Sequence, residues 1–213
     1  MTEEQTPPEA PRPELKATVR LGQNGLNAIL IVVILMIMLP LVFLGYKVAL
    51  NFKAKRDITI AESNLHALYT ALSHYSLDWD GKLPAAENWT DAATGYLPSA
   101  SGISGGKQGY LKGPGDGTEI SYVYNTAASG YNLQDERNRK VDPSKLVLLI
   151  EKPGGQPNDH VMIPPQGDMQ GENALAKLLA FPHYADDSAN ATTIVLYANG
   201  SVQLKTRKEL RQE

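Results

Sequence analysis

The chain has 213 residues, of which 42% are hydrophobic and 20% charged, with 20 Lys+Arg against 23 Asp+Glu and no cysteine. A formal net charge of −3 implies no strongly basic surface and argues against nucleic-acid binding. Without cysteine there are no disulfides, no thiolate catalysis and no Cys-ligated zinc or iron–sulfur centre, and the length allows one domain beyond an anchor, or two very small ones.

Residues 1–20, MTEEQTPPEAPRPELKATVR, are rich in Pro and Glu and hold hardly any large apolar side chain. Such a segment cannot bury enough surface to offset its ordering entropy, which predicts a short disordered tail. A Pro-rich docking motif is the alternative. From Leu21 to Tyr46 there is no formal charge, and LNAILIVVILMIMLPLVFLGY (26–46) is almost wholly aliphatic. A helix rises about 1.5 Å per residue, so roughly 20 apolar residues cross a hydrocarbon layer of about 30 Å. A transmembrane helix is expected over 21–46, with Asn27 near one interface and Pro40 at most a kink. Core helices rarely run this far without a polar face. A signal-peptide h-region spans only about 7–15 residues, and no convincing small-x-small cleavage site follows.

Charge nearly ties on orientation. Arg12, Lys16 and Arg20 precede the apolar run, and Lys47, Lys53, Lys55 and Arg56 follow it. The positive-inside rule leans slightly towards a cytoplasmic main domain.

No Gly or Pro occurs from Tyr46 to Asp80. Ile58, Ala61, Leu65, Leu68, Leu72, Tyr75 and Trp79 recur at alternating steps of three and four, one stripe of a helix. Glu62, Ser63, Asn64, His66, Thr70, Ser73 and His74 would form the polar face. One continuous helix over about 22–79 is expected, its part beyond the membrane (47–80) amphipathic. It should end at Asp78-Trp79-Asp80-Gly81, where Gly takes the left-handed conformation and Pro84 prevents resumption. The stripe is expected to pack on a sheet of the same chain. A coiled-coil seam is the competing use, but the run is short and lacks paired flanking charges.

Residues 81–205 read as a head domain. GKLPAAENWTDAATGYLPSASGISGGKQGYLKGPGDG (81–117) reads as a loop-rich connection. Ile120–Tyr124 alternates and is aromatic, while Leu146–Ile150 is a continuous apolar run, as for a strand buried on both faces. A short helix is expected at about Glu172 to Leu179. Strands at Thr192–Tyr197 and Ser201–Leu204 flank Ala198-Asn199-Gly200, where Asn-Gly predicts a hairpin with a type I′ turn. Residues 206–213 read as a charged, solvated tail. The fold class is thus α+β, a long amino-terminal helix laid on a small, mainly antiparallel sheet.

ESNLHALYTALSHYSLDWDGKLPAAENW resembles the segment after the membrane helix in bacterial type IV pilin-like proteins (pseudopilins), in the branch ending in His, nine residues, then Asp-Gly. The matching residues are Asn64-Leu65, Ala71-Leu72, Tyr75, Asp78-Trp79-Asp80-Gly81 and Pro84, then Ser121-Tyr122-Val123-Tyr124-Asn125, and finally His183 with Asn199-Gly200-Ser201-Val202. The resemblance spans about 21–204. It implies a cytoplasmic amino terminus, a head outside the inner membrane and a structural or assembly role in a type II secretion or type IV pilus-like system. It also implies a glycine cut by a prepilin peptidase, with a Glu five positions on that helps pair subunits. Here Leu30 stands five positions after Gly25, and fifteen residues separate His183 from Asn199, which replaces the Asp of the terminal motif.

His66 and His74 lie two helical turns apart and read as ordinary polar-face residues. His183 with Asp186 and Asp187 is the best local constellation for a divalent cation, and calcium in carboxy-terminal loops of some pseudopilins points the same way. A loop held by its own backbone hydrogen bonds is the plainer reading. Asp78-x-Asp80-Gly81 opens like an EF-hand loop, but Trp89 occupies the twelfth position where a Glu belongs, so it reads as a helix-terminating turn. Gly102, Gly105, Gly106 and Gly109 follow no strand and open no helix, which excludes a nucleotide loop. The expectation is a non-enzymatic single-pass inner-membrane protein with no catalytic, cofactor or metal residues. Its partners would be the lipid bilayer, pilin-like or secretion-system subunits and further copies of itself. A membrane-anchored binding or sensing module on the same scaffold is the alternative, and a metal-dependent enzyme built on His183, Asp186 and Asp187 a third reading.

Overall fold

The structure, a computed structural model, describes residues 23–99, 106–114, 120–137, 140–165 and 191–210. The tail at 1–20, the helix expected at Glu172 to Leu179 and the cluster His183, Asp186 and Asp187 lie outside the described residues. Helix α1 runs from Gln23 to Asp78 with Pro40 inside it, in agreement with the expected continuous helix. Packing divides the chain into two units, one ending at Val48 and one starting at Ala49.

Among the described residues of the first unit the large apolar side chains are exposed, from Val48 at 45% to Met36 at 75%. Lys47 carries its ammonium over the Phe43 ring, 5.6 Å from the centroid, a cation–π contact at the polar end of the segment.

In the second unit the apolar stripe of α1 enters the core. Ala61, Leu65, Leu68, Ala71 and Leu72 are buried beside Tyr122, Tyr124, Leu148, Ile194 and Leu196 of the sheet and Leu146 just before it. Each fully buried leucine contributes about 1.5–3 kcal/mol, so this seam is the main apolar tie between helix and sheet. Two stripe residues depart from expectation. Tyr75 is only half-buried, and Trp79, lying past the helix end, is exposed. Asn64, expected on the polar face, is buried and donates from Nδ2 to the Lys112 carbonyl at 2.9 Å. A helix lying on a sheet leaves flanking positions partly covered, and a short amide can serve a loop carbonyl there.

The sheet comprises β1 (Ile120–Asn125), β2 (Val147–Gly155), β3 (His160–Val161), β4 (Thr192–Tyr197) and β5 (Val202–Thr206), in the order β3-β1-β2-β4-β5. All pairs are antiparallel except β1 with β3, so the α+β, mainly antiparallel expectation holds. Leu146–Ile150 is buried on both faces as expected: Leu146, Leu148 and Leu149 join the α1 side, while Val147 and Ile150 join Val123, Ile163, Val195 and Tyr197 on the other. The broken alternation at Leu148-Leu149 follows from a bulge, since Val147 faces Tyr197 and Leu149 faces Leu196.

Three local expectations are corrected. The connection 81–117 holds helix α2 (Trp89–Tyr96) and 3-10 turns at Ala86–Asn88 and Gly106–Leu111. Its Gly/Pro/Ser-rich flanks masked a helix only eight residues long. The Asn199-Gly200 turn is not type I′, because Gly200 alone has positive φ (85°) there. Gly200 N–H donates to the Tyr197 carbonyl and Tyr197 N–H to the Ser201 carbonyl, both at 2.9 Å, a three-residue type I turn closed by a glycine bulge. The Asn199 carboxamide oxygen accepts from Ser201 N–H and Oγ instead of accommodating positive φ. The charged tail begins in order: β5 reaches Thr206, and Arg207–Leu210 form a helical turn, α3. Glu209 accepts from Thr206 N–H at 2.7 Å while Thr206 Oγ1 accepts from Glu209 N–H at 3.1 Å, a reciprocal cap of the T-x-x-E type.

Gly200 also faces α1: a Cβ there would sit 2.6 Å from Tyr69 Cε1, whereas one at Gly130 (φ 67°) would meet nothing within 4 Å. Gly130→Ala should therefore cost only the left-handed strain of about 1–2 kcal/mol. Gly200→Ala should cost clearly more, with the excess removed in a Tyr69→Ala background. Denaturant unfolding of the full chain in detergent, followed through the buried Trp89 indole, measures both; equal losses at the two glycines would refute the close packing of Tyr69 on the hairpin.

Candidate functional site

Two features stand out from ordinary core and surface. The first is the amino-terminal part of α1, which is long and apolar enough to cross a membrane, with none of its apolar window buried. A soluble protein's core helix also passes a length test, but it would be mostly covered, and this one is not.

The second is the aromatic end of α1. The helix stops because Asp80 (φ 55°) and Gly81 (φ 79°) both turn left-handed, and Gly81 N–H donates back to the Ser76 carbonyl at 2.7 Å. Gly81 is required twice, since a Cβ would also strike Asn132 Oδ1 at 2.5 Å. Residues 130–133 hold this turn from outside. Leu83 N–H donates to the Tyr131 carbonyl, Leu133 N–H to the Gly81 carbonyl, and Asn132 Nδ2 to the Asp80 carbonyl at 3.1 Å. Asp78-x-Asp80-Gly81 is thus a helix-terminating turn, as read from the sequence.

Around it the rings gather. Tyr75 stacks on Trp79 at 5.3 Å and 10°, and Tyr96 from α2 meets Tyr75 edge-on at 5.9 Å and 83°. The Tyr96 hydroxyl donates to Asp78 Oδ2 at 2.8 Å. Tyr75, Trp79, Asp80, Lys82, Leu83 and Gly130 line a groove of about 420 Å³. Spacing along α1 places Trp79 on the core stripe, and nothing in the sequence singles out Tyr96. The signal for Trp79 was its place next to the stop, where a stripe residue has no further helix to pack with.

The remaining motif residues are structural ties. Trp89 is fully buried, stacks on Tyr124 at 5.9 Å and donates from Nε1 to the Asp159 carbonyl. The Tyr124 hydroxyl donates to the Pro84 and Ala128 carbonyls. The buried Asn125 amide donates to the Val147 and Ile163 carbonyls and accepts from Ala127 and Ile163 N–H. Burial pushes the phenols of Tyr122 and Tyr124 up, for Tyr122 with the further charge of Glu151, so both stay protonated at neutral pH. His66, His74 and His160 are exposed and scattered. His160 Nδ1 lies 2.8 Å from the Asn158 carbonyl. Among the described residues no three His, Asp or Glu side chains come together as a metal site.

No protein-family model matches the chain, and no curated protein or solved structure matches it either.

The Tyr96–Asp78 hydrogen bond raises the Tyr96 pKa, with smaller contributions from burial and the carboxylate charge. The contact therefore favours the folded state below the ordinary phenol value of about 10 and is lost as pH rises through the raised value. Spectrophotometric titration of wild type minus Tyr96→Phe should show this phenol ionising above the ordinary value, and Asp78→Asn should bring it down. An unchanged titration in Asp78→Asn would rule the contact out.

Proposed function

We propose that this protein is a non-enzymatic, single-pass membrane protein with a pilin-like head outside the inner membrane, a structural or assembly subunit of a type II secretion or type IV pilus-like system. The observation that carries the reading is α1 itself. An apolar helix without a polar face runs on in sequence as the helix that backs a small antiparallel sheet. Resemblance in Asn64-Leu65, the Asp78–Gly81 turn and Ser121–Asn125 supports the pilin-like assignment, because each of these performs a defined structural task. Asn64 ties α1 to Lys112, the turn ends the helix, and Asn125 locks β1 to residues 147 and 163.

In this reading the membrane segment is the surface through which copies or partner subunits meet. Lipid tails provide no hydrophobic drive between helices, so pairing depends on packing and on polar positions such as Asn27, with Pro40 releasing backbone groups nearby. Leu30, standing where the family resemblance implies Glu, removes one pairing charge from that surface.

The groove beside Trp79 favours a second reading, a membrane-anchored binding or sensing module that reuses the scaffold. Even a fold shared with pilins would not by itself set function. A photo-crosslinking residue in place of Leu44, activated in native membranes, separates the two. An assembly subunit should give discrete crosslinked species containing this chain or pilin-like partners, and Asn27→Leu should weaken them. Exclusive recovery of the uncrosslinked monomer would contradict the assembly role and leave the solitary module.

A further inference from the structure

Trp79 leaves 57% of its surface in contact with solvent while Trp89, ten positions on, is fully buried. An indole carries one of the largest apolar surfaces of any side chain, so exposing it sacrifices burial that a neighbouring tryptophan obtains. The ring is nevertheless held. Tyr75 stacks on it almost parallel, Tyr96 braces Tyr75 edge-on, and the Tyr96 hydroxyl is tethered to Asp78. Trp79 is thus an ordered, open aromatic surface, fixed one residue beyond the last turn of α1.

The groove beside it mixes this flat apolar wall with a few polar groups. Asp80 and Lys82, one acidic and one basic residue, are part of its lining. Its volume of about 420 Å³ falls within the roughly 300–1,000 Å³ of small-molecule sites. We propose that this groove binds a saccharide, with a pyranose ring laid against the Tyr75–Trp79 pair and its hydroxyls meeting Asp80 and Lys82. This inference rests on the binding-module reading.

Chemistry favours a sugar over a peptide. One face of a pyranose presents C–H groups with slight positive charge, which suit the negative face of an aromatic ring. Its hydroxyls both donate and accept, so a carboxylate acceptor and an ammonium donor serve the same ligand. An extended peptide instead needs free backbone groups in the wall to pair with. Here the N–H groups of Lys82, Leu83 and Gly130 already donate to the carbonyls of Trp79, Tyr131 and Leu83. Those three N–H groups are thus not open to a peptide strand.

The test uses the full chain in lipid nanodiscs, because glycoside detergents would compete. Chitotetraose and cellotetraose are titrated while tryptophan emission is followed. Trp89 is buried, so a ligand at the groove should change the Trp79 contribution alone. The expected result is a saturable change with at least one oligosaccharide, absent in Trp79→Phe for want of the reporter indole. Calorimetry should show binding at least about tenfold weaker in Trp79→Ala, partly restored in Trp79→Phe, and also weakened in Asp80→Asn. Trp79→Ala should still unfold in one cooperative transition followed through Trp89, with its midpoint lowered only by the lost Tyr75 stacking, which keeps a folding defect distinct from lost binding. Absence of saturable binding to both sugars, or equal affinity in Trp79→Ala, would overturn the proposal. Binding of a proline-rich peptide but of neither sugar would overturn it too, while leaving a binding module in place.

Discussion

A helical stretch whose every large apolar side chain is exposed has to be matched by an apolar solvent. From Ile29 to Leu44 the chain offers no polar face, and nothing among the described residues of its own unit covers it. At about 25 cal/mol per Å² of apolar surface, leaving such a rod in water is costly enough to force aggregation or a bilayer. A bilayer would resolve it, because a helix satisfies its own backbone hydrogen bonds.

The same helix solves a second problem from Ala61 onwards. Its buried stripe and the facing residues of β1, β2 and β4 make one apolar cluster, while the opposite sheet face makes a smaller one around Val195 and Tyr197. Polar ties then fix the ends. Asn125 satisfies four backbone groups at the end of β1, and the left-handed pair Asp80-Gly81 stops α1 where residues 130–133 can clamp it. These are residues whose replacement leaves buried groups unpaired, so they constrain the fold more than their size suggests.

Long-period features were legible in sequence, and local geometry was less so. The continuous helix, its stop at Gly81, the doubly buried run Leu146–Ile150 and the antiparallel hairpin at Asn199-Gly200 all follow from periodicity or from residues with few conformational options. The turn type did not, because Asn199 gains more from accepting the Ser201 N–H and hydroxyl than from adopting positive φ. Helix α2 was hidden by its length and by Gly and Pro on either side. Periodicity puts Asn64 on the polar face, because it does not disclose the loop at Lys112 that comes to cover it. The groove at Trp79 depends on Tyr96 and Gly130, brought to the helix end by contacts distant in sequence, and spacing along α1 alone does not disclose it.

The absence of cysteine makes the membrane claim directly measurable, since a single introduced thiol reports its own surroundings. Met36→Cys and Glu87→Cys, each the only thiol in its chain, can be treated with a charged maleimide in membranes opened so that both faces are accessible. The account predicts that Glu87→Cys labels readily while Met36→Cys stays unlabelled until the bilayer is dissolved by detergent. Equal labelling of the two before detergent would contradict it.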